Sequence, residues 1–146
     1  MRKILALIIG LGAAANGLWM ILAPYHWYAW VPGVPATGPF NIHFIRDIGC
    51  AYLVTAFSVF WLMLSPPRGG AAAFIAALFL ILHASMHVWD TVAGHESKLY
   101  LLRDVPAVIL PGFVLLWLIW SYSRPDAPKA VSTDKMPSEP QRGGTH

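Results

Sequence analysis

Charge and cysteine are what this chain has least of. Only 12% of its 146 residues are Asp, Glu, Lys or Arg, where a soluble domain carries about a quarter. Against 57% hydrophobic residues that is too little polar surface for a water-soluble fold, so lipid is the solvent for most of the chain. Cys50 is the single cysteine, which excludes an internal disulfide and a cysteine-based zinc cluster and says nothing of redox compartment. Ten Lys and Arg outnumber seven Asp and Glu, for a formal charge of +3. They are scattered over termini and loops with no interleaved aromatics, which argues against a nucleic-acid partner. Also missing are a nucleophile beside its base, a phosphate-binding loop and a carboxylate pair placed for hydrolysis, so no catalytic residue is assigned.

What is present is four long apolar runs. Residues 4–22 follow Met1-Arg2-Lys3 and, at about 1.5 Å per residue, are long enough for roughly 30 Å of hydrocarbon. A signal peptide cleaved near Ala13-Ala14-Ala15 competes with this reading, but the apolar run continues through Leu18, Trp19, Met20, Ile21 and Leu22, which favours a retained span. Residues 42–64, 71–93 and 99–122 supply three more spans, the last with Pro106 and Pro111 inside it, where a kink is expected. Residues 23–41 lack Lys and Arg and carry Tyr25, His26, Trp27, Tyr28 and Trp30 before VPGVPATGP, a short aromatic cap at headgroup level followed by ordered coil. Residues 65–70, SPPRGG, predict a helix-breaking turn. From 123 to 146 the chain is rich in Pro, Ser, Lys and Asp and has almost nothing to bury, so a disordered tail is expected. The fold class is therefore all-α: a four-helix transmembrane bundle over residues 1–122 with a disordered tail.

Arg2, Lys3, Arg68 and the tail's Arg124, Lys129, Lys135 and Arg142 face Lys98 and the helix-borne Arg46 and Arg103. By the positive-inside rule both termini are cytoplasmic, and the setting read from this is a bacterial inner membrane crossed several times. Trp61, Trp117 and Trp120 then form an inner aromatic belt, and Trp19, Trp27, Trp30 and Trp89 an outer one.

The candidate chemistry lies in ILHASMHVWD, residues 81–90. His83, His87 and Asp90 recur at i, i+4 and i+7, one stripe of a helix, at a depth where each ionisable group costs about 2.5–3.5 kcal/mol even on the lenient insertion scale. His43, Asp47 and Cys50 of the second span repeat that spacing. Counted inward at about 1.5 Å per residue, His43 is level with Asp90, Asp47 with His87 and Cys50 with His83. Two facing stripes in register are predicted. Such a centre suits a transition metal (copper, iron or zinc) held by His43, His83 and His87 with Asp47 and Asp90 as ligands or supports, and Arg46, Arg103 and Asp104 around them. Haem b is a variant, with His43 opposite His83 or His87 as axial ligands. An alternative is an accessory subunit of a larger membrane complex or homo-oligomer. Its cluster is structural, with Arg46 and Arg103 balancing two of Asp47, Asp90 and Asp104. A proton relay or transport component is a third reading, limited by an inner half that offers only Asn16, Tyr52, Thr55 and Ser58.

Smaller features are read more plainly. Asn16 makes an interhelical hydrogen bond, Gly10, Gly12 and Gly17 allow close helix approach, Cys50 is a small buried packing residue, and Met86 lies off the stripe. The run WYAWVPGVPATGPFNIHFIRDIGCAYLV, residues 27–54, together with HASMH, residues 83–87, resembles a block found in small four-span bacterial inner-membrane proteins of unassigned function. The resemblance implies a four-helix bundle and no chemistry. FIRDI (44–48) and LLRDV (101–105) echo each other at the start of the second and fourth spans, as two hairpins related by a pseudo-twofold axis would.

Overall fold

A computed structural model describes residues 1–95 and 97–124, and every element among them is helical. They are α1 (Arg2–Leu22), α2 (Pro24–Trp30), a 3₁₀ turn (Val34–Ala36), α3 (Ile42–Leu64), α4 (Pro66–Val92), α5 (Lys98–Asp104), a π-helical turn (Val105–Ile109) and α6 (Leu110–Ser123). Among the described residues four helical stretches are long and apolar enough to cross a membrane: α1, α3, α4 and the continuous α5–α6 unit. The chain is a multi-pass membrane bundle. The disorder expected of 123–146 falls, beyond Arg124, outside the described residues.

The helix ends follow from local chemistry. Asn41 opens α3 by accepting the backbone N–H of His43 and of Phe44, both at 3.1 Å, which satisfies donors with no intrahelical partner. Ser97 does the same for Leu99 at 3.3 Å at the start of α5. The turn expected over 65–70 shrinks to Ser65 alone. Pro66 and Pro67 occupy the first helical positions, where a missing N–H costs nothing, so α4 starts at Pro66 rather than 71 and gains a turn. In the fourth span Pro106 has no N–H to continue the ladder, and the N–H of Leu110 reaches five residues back to the Val105 carbonyl. The expected kink is this π-helical turn; Pro111 lies harmlessly in the first turn of α6.

The helices pack in chain order, α1 on α3, α3 on α4 and α4 on α6. The α1–α3 contact brings backbone against backbone. A Cβ on Gly17 would lie 2.7 Å from the Gly49 carbonyl oxygen, and one on Gly49 3.0 Å from that of Gly17. This crossing sets how α3 is turned about its axis. The core lies toward the end that holds the N-terminus and the Ser65 hinge, where Ala6, Val59, Leu62, Ala73, Leu115 and Leu118 are buried together. At that hinge end α1 also meets α6, the Arg2 guanidinium donating to the Ser121 carbonyl at 3.2 Å and lying over the Tyr122 ring. Toward the opposite end, under α2 and the 31–41 loop, the bundle opens.

Candidate functional site

The opening is a cavity of about 1110 Å³, at the upper limit of ordinary small-molecule sites. Its walls are mostly apolar side chains of α1, the cap over residues 27–41, α3, the π turn and α6; its polar side chains are Asn16, Tyr52, His83, His87, Arg103 and Asp104 among the helices and Tyr28, Thr37 and Asn41 at the cap. The cavity reaches the surface along the seam between α1 and the fourth span. Ile8, Gly12, Ala107 and Leu110 flank it there and are exposed at spanning depth.

The anchor of the polar group is Asp104, with a side chain only 8% exposed. Its Oδ1 accepts from Nε and Nη2 of Arg103 at 3.1 and 3.0 Å, and its Oδ2 lies 2.8 Å from Nδ1 of His87. A carboxylate is acceptor-only, so His87 donates its Nδ1–H to Asp104, and Nε2 is the ring nitrogen outside that bond. The His83 ring stands edge-on to His87 at 5.0 Å and to Tyr52 at 5.9 Å, and stacks on Phe79 at 6.0 Å. Among the described residues the His83 imidazole and the Tyr52 hydroxyl have ring neighbours and no hydrogen-bonding partner. Both line the cavity. The cap closes over the site: Trp27 donates Nε1–H to Asn16 Oδ1 at 2.9 Å, and Arg103 packs on Gly33, where a Cβ would lie 3.1 Å from Nη2. Gly33 has φ +92°, a backbone suited to glycine in any case.

Of the residues expected to form one centre, the structure brings together His83, His87, Arg103 and Asp104. It separates the others. His43 and Asp47 lie on the outward face of α3 with side chains 85% and 63% exposed, 3.5 Å from each other, and Cys50 is exposed on the same face rather than buried. The reason is the glycine crossing: Asp47 is two residues from Gly49, hence about 200° round the helix from the face that meets α1. Asp90 turns to His95 at 3.6 Å, because the chain doubles back at Gly94 with φ +80°. Arg46 donates to the Ile21 carbonyl at 3.2 Å rather than to a carboxylate. The five-residue metal set therefore does not converge: no group of three or more His, Cys, Asp or Glu among the described residues is placed to hold a metal ion. His43 likewise lies away from the helix face that carries His83 and His87, so the facing pair that haem needs does not form.

Two cavity residues lie away from where the sequence pattern places them. Trp27 leaves the outer belt to bond Asn16, while Trp19, Trp30 and Trp89 stay exposed. Asn16 does make a bond between helices, to α2 of the cap. Tyr52 had the available signal of sitting one turn from Gly49 on the inner face of α3. No family model matches this chain, and neither does any curated protein or solved structure compared with it.

Proposed function

We propose that this membrane protein binds an amphipathic small molecule drawn sideways from the bilayer, its apolar body in the cavity and its polar head against His83, Tyr52 and the His87–Asp104 pair. One observation carries the reading: a half-buried imidazole and a hydroxyl, both without a hydrogen-bonding partner among the described residues, line the same cavity. In a bilayer each unmet polar group costs several kcal/mol, and a bound head group removes that cost. The exposed seam between α1 and the fourth span supplies an entrance at the depth where such molecules reside. His87, with Nδ1 held by Asp104 and Nε2 outside that bond, is the residue suited to accept a proton from the bound head.

The orientation goes with this reading. Arg2, Lys3, Arg68 and Arg124 mark the hinge end, and the positive-inside rule makes that end cytoplasmic, so the cap and cavity belong to the outer half.

The test is mass spectrometry of the full chain released from mild detergent, followed by solvent extraction. Wild-type protein is expected to retain one amphipathic molecule per chain. Gly12→Phe places a ring in the seam at a position where an added Cβ meets nothing within 4 Å, so the helix folds and the molecule is lost. Protein that binds nothing besides detergent, with Gly12→Phe indistinguishable from wild type, overturns the reading.

A further inference from the structure

We infer that the molecule's head is uncharged and presents carbonyl or hydroxyl oxygens on an isoprenoid or acyl tail, and that it is not a phospholipid. This rests on the ligand-binding reading above and narrows it.

The first argument is charge. Among the described residues Arg103 and Asp104 are the only Lys, Arg, Asp or Glu lining the cavity, and they are bonded to each other at 3.0 and 3.1 Å. With the two histidines neutral the site sums to zero. A phosphodiester would add an anion with no unspent cation to meet it, and a quaternary ammonium would add a cation whose natural counterion, Asp104, is already shared by Arg103 and His87. Either is a poor exchange for water.

The second argument is depth. His83 lies nine residues before Val92 at the end of α4, and Tyr52 ten residues after the start of α3 at Ile42. At about 1.5 Å per residue both are roughly 14–15 Å below the cap end, near the middle of a hydrocarbon layer about 30 Å thick. Phospholipid head groups sit at the interface and would have to be dragged to mid-depth. A molecule with a neutral head already moves among the acyl chains.

The third argument is the chemistry left unspent. A tyrosine hydroxyl has one donor and two acceptor sites, and a neutral imidazole one of each. Tyr52 and His83, with ring centres 5.9 Å apart, can together grip one oxygen-bearing head from two sides. His87 adds Nε2 nearer the cap. A quinone, quinol or prenol head supplies such oxygens.

The experiment uses the full chain in phosphatidylcholine nanodiscs, titrated separately with a decyl-substituted benzoquinone and with phosphatidylglycerol, binding being read by native mass spectrometry. The benzoquinone is expected to bind saturably and to displace the molecule that co-purifies, which on extraction carries no phosphorus. Tyr52→Phe should weaken its binding about 5-fold and the double variant Tyr52→Phe, His83→Leu about 25-fold, the worth of one and of two hydrogen bonds. Helical circular dichroism monitors the fold, and Tyr52→Phe, which removes one oxygen, serves alone if the double variant misfolds. A co-purifying phospholipid that the benzoquinone fails to displace overturns this inference and leaves the ligand-binding reading standing. No saturable binding of either probe, with nothing but detergent bound, overturns both.

Discussion

FIRDI and LLRDV carry the same Arg-Asp dipeptide near the start of a span, yet the two carboxylates end in opposite surroundings. Asp104 is buried, grips its own neighbour Arg103 and orients His87. Asp47 is 63% exposed, and its partner among the described residues is His43, one turn away on its own helix, at 3.5 Å. Their arginines diverge as well, Arg46 reaching the Ile21 carbonyl while Arg103 stays with its aspartate. The difference teaches that a polar stripe becomes a site only where a neighbouring helix turns a complementary group toward it. α4 receives such a group from α5. α3 presents its stripe outward and receives none.

The largest effect that would break this contrast is the loss of Asp104. Asp104→Ala leaves His87 without its acceptor and removes the Arg103 hydrogen bonds, while Arg103, itself 39% exposed, turns to solvent, so the loss is that of hydrogen bonds to a charged group, about 1.5–3 kcal/mol. Unfolding in detergent micelles, followed by circular dichroism, should register that loss, and Asp47→Ala should cost less than about 1 kcal/mol by the same measurement, as exposed pairs do. Equal losses would erase the distinction between the two stripes.

The glycine crossing is the next point of attack, because it determines which way α3 faces. A valine at Gly17 drives a branched side chain into the Gly49 carbonyl, 2.7 Å from the new Cβ. Overpacking of this kind costs about 1–3 kcal/mol. If α1 instead yields without cost, thermal unfolding in micelles will show an unchanged midpoint, and the crossing does not hold α3's rotation.

Much of the architecture was legible in the residues. Four apolar runs announced four helices, Pro106 the distortion of the fourth, and the aromatic run 25–30 the cap. The direction each stripe faces was not legible from spacing, since i, i+4 and i+7 state that residues share a face and are silent on where the face points. Gly17 and Gly49 held that information: small residues mark where backbones approach, and taking Gly49 as the contact point rotates His43, Asp47 and Cys50 away. Asp90 misled for a different reason. It lies on the stripe of His83 and His87 but in the last turn of α4, where Gly94 folds His95 back onto it, so a loop contact displaces a bundle contact. Asp104, expected among the groups around the centre, is its hub, holding both Arg103 and Nδ1 of His87.

A smaller effect sharpens the role of the cap. Trp27→Phe keeps a six-membered aromatic ring and removes the pyrrole part with the Nε1–H that Asn16 accepts at 2.9 Å, for a loss of about 0.5–1.5 kcal/mol from the hydrogen bond alone. The consequence should be local, with faster amide hydrogen exchange in α2 and little change in α4. Uniform acceleration across all four spans would mean that the cap bond supports the whole bundle rather than covering one cavity.

The smallest effect is predicted on the outward stripe itself. The His43–Asp47 contact is long and largely exposed, so His43→Ala should change stability by no more than about 0.5 kcal/mol and leave binding of the proposed amphipathic molecule unchanged, read by the mass of the released complex. Cys50, exposed on the same face and the chain's only thiol, provides an independent reading without further mutation. Lipid-soluble maleimide should modify it in the folded protein, while occupancy of the cavity stays constant. Were labelling of Cys50 to empty the cavity, the two faces of α3 would be coupled, and the separation between a stripe that meets lipid and one that meets a ligand would fail at the helix that defines it.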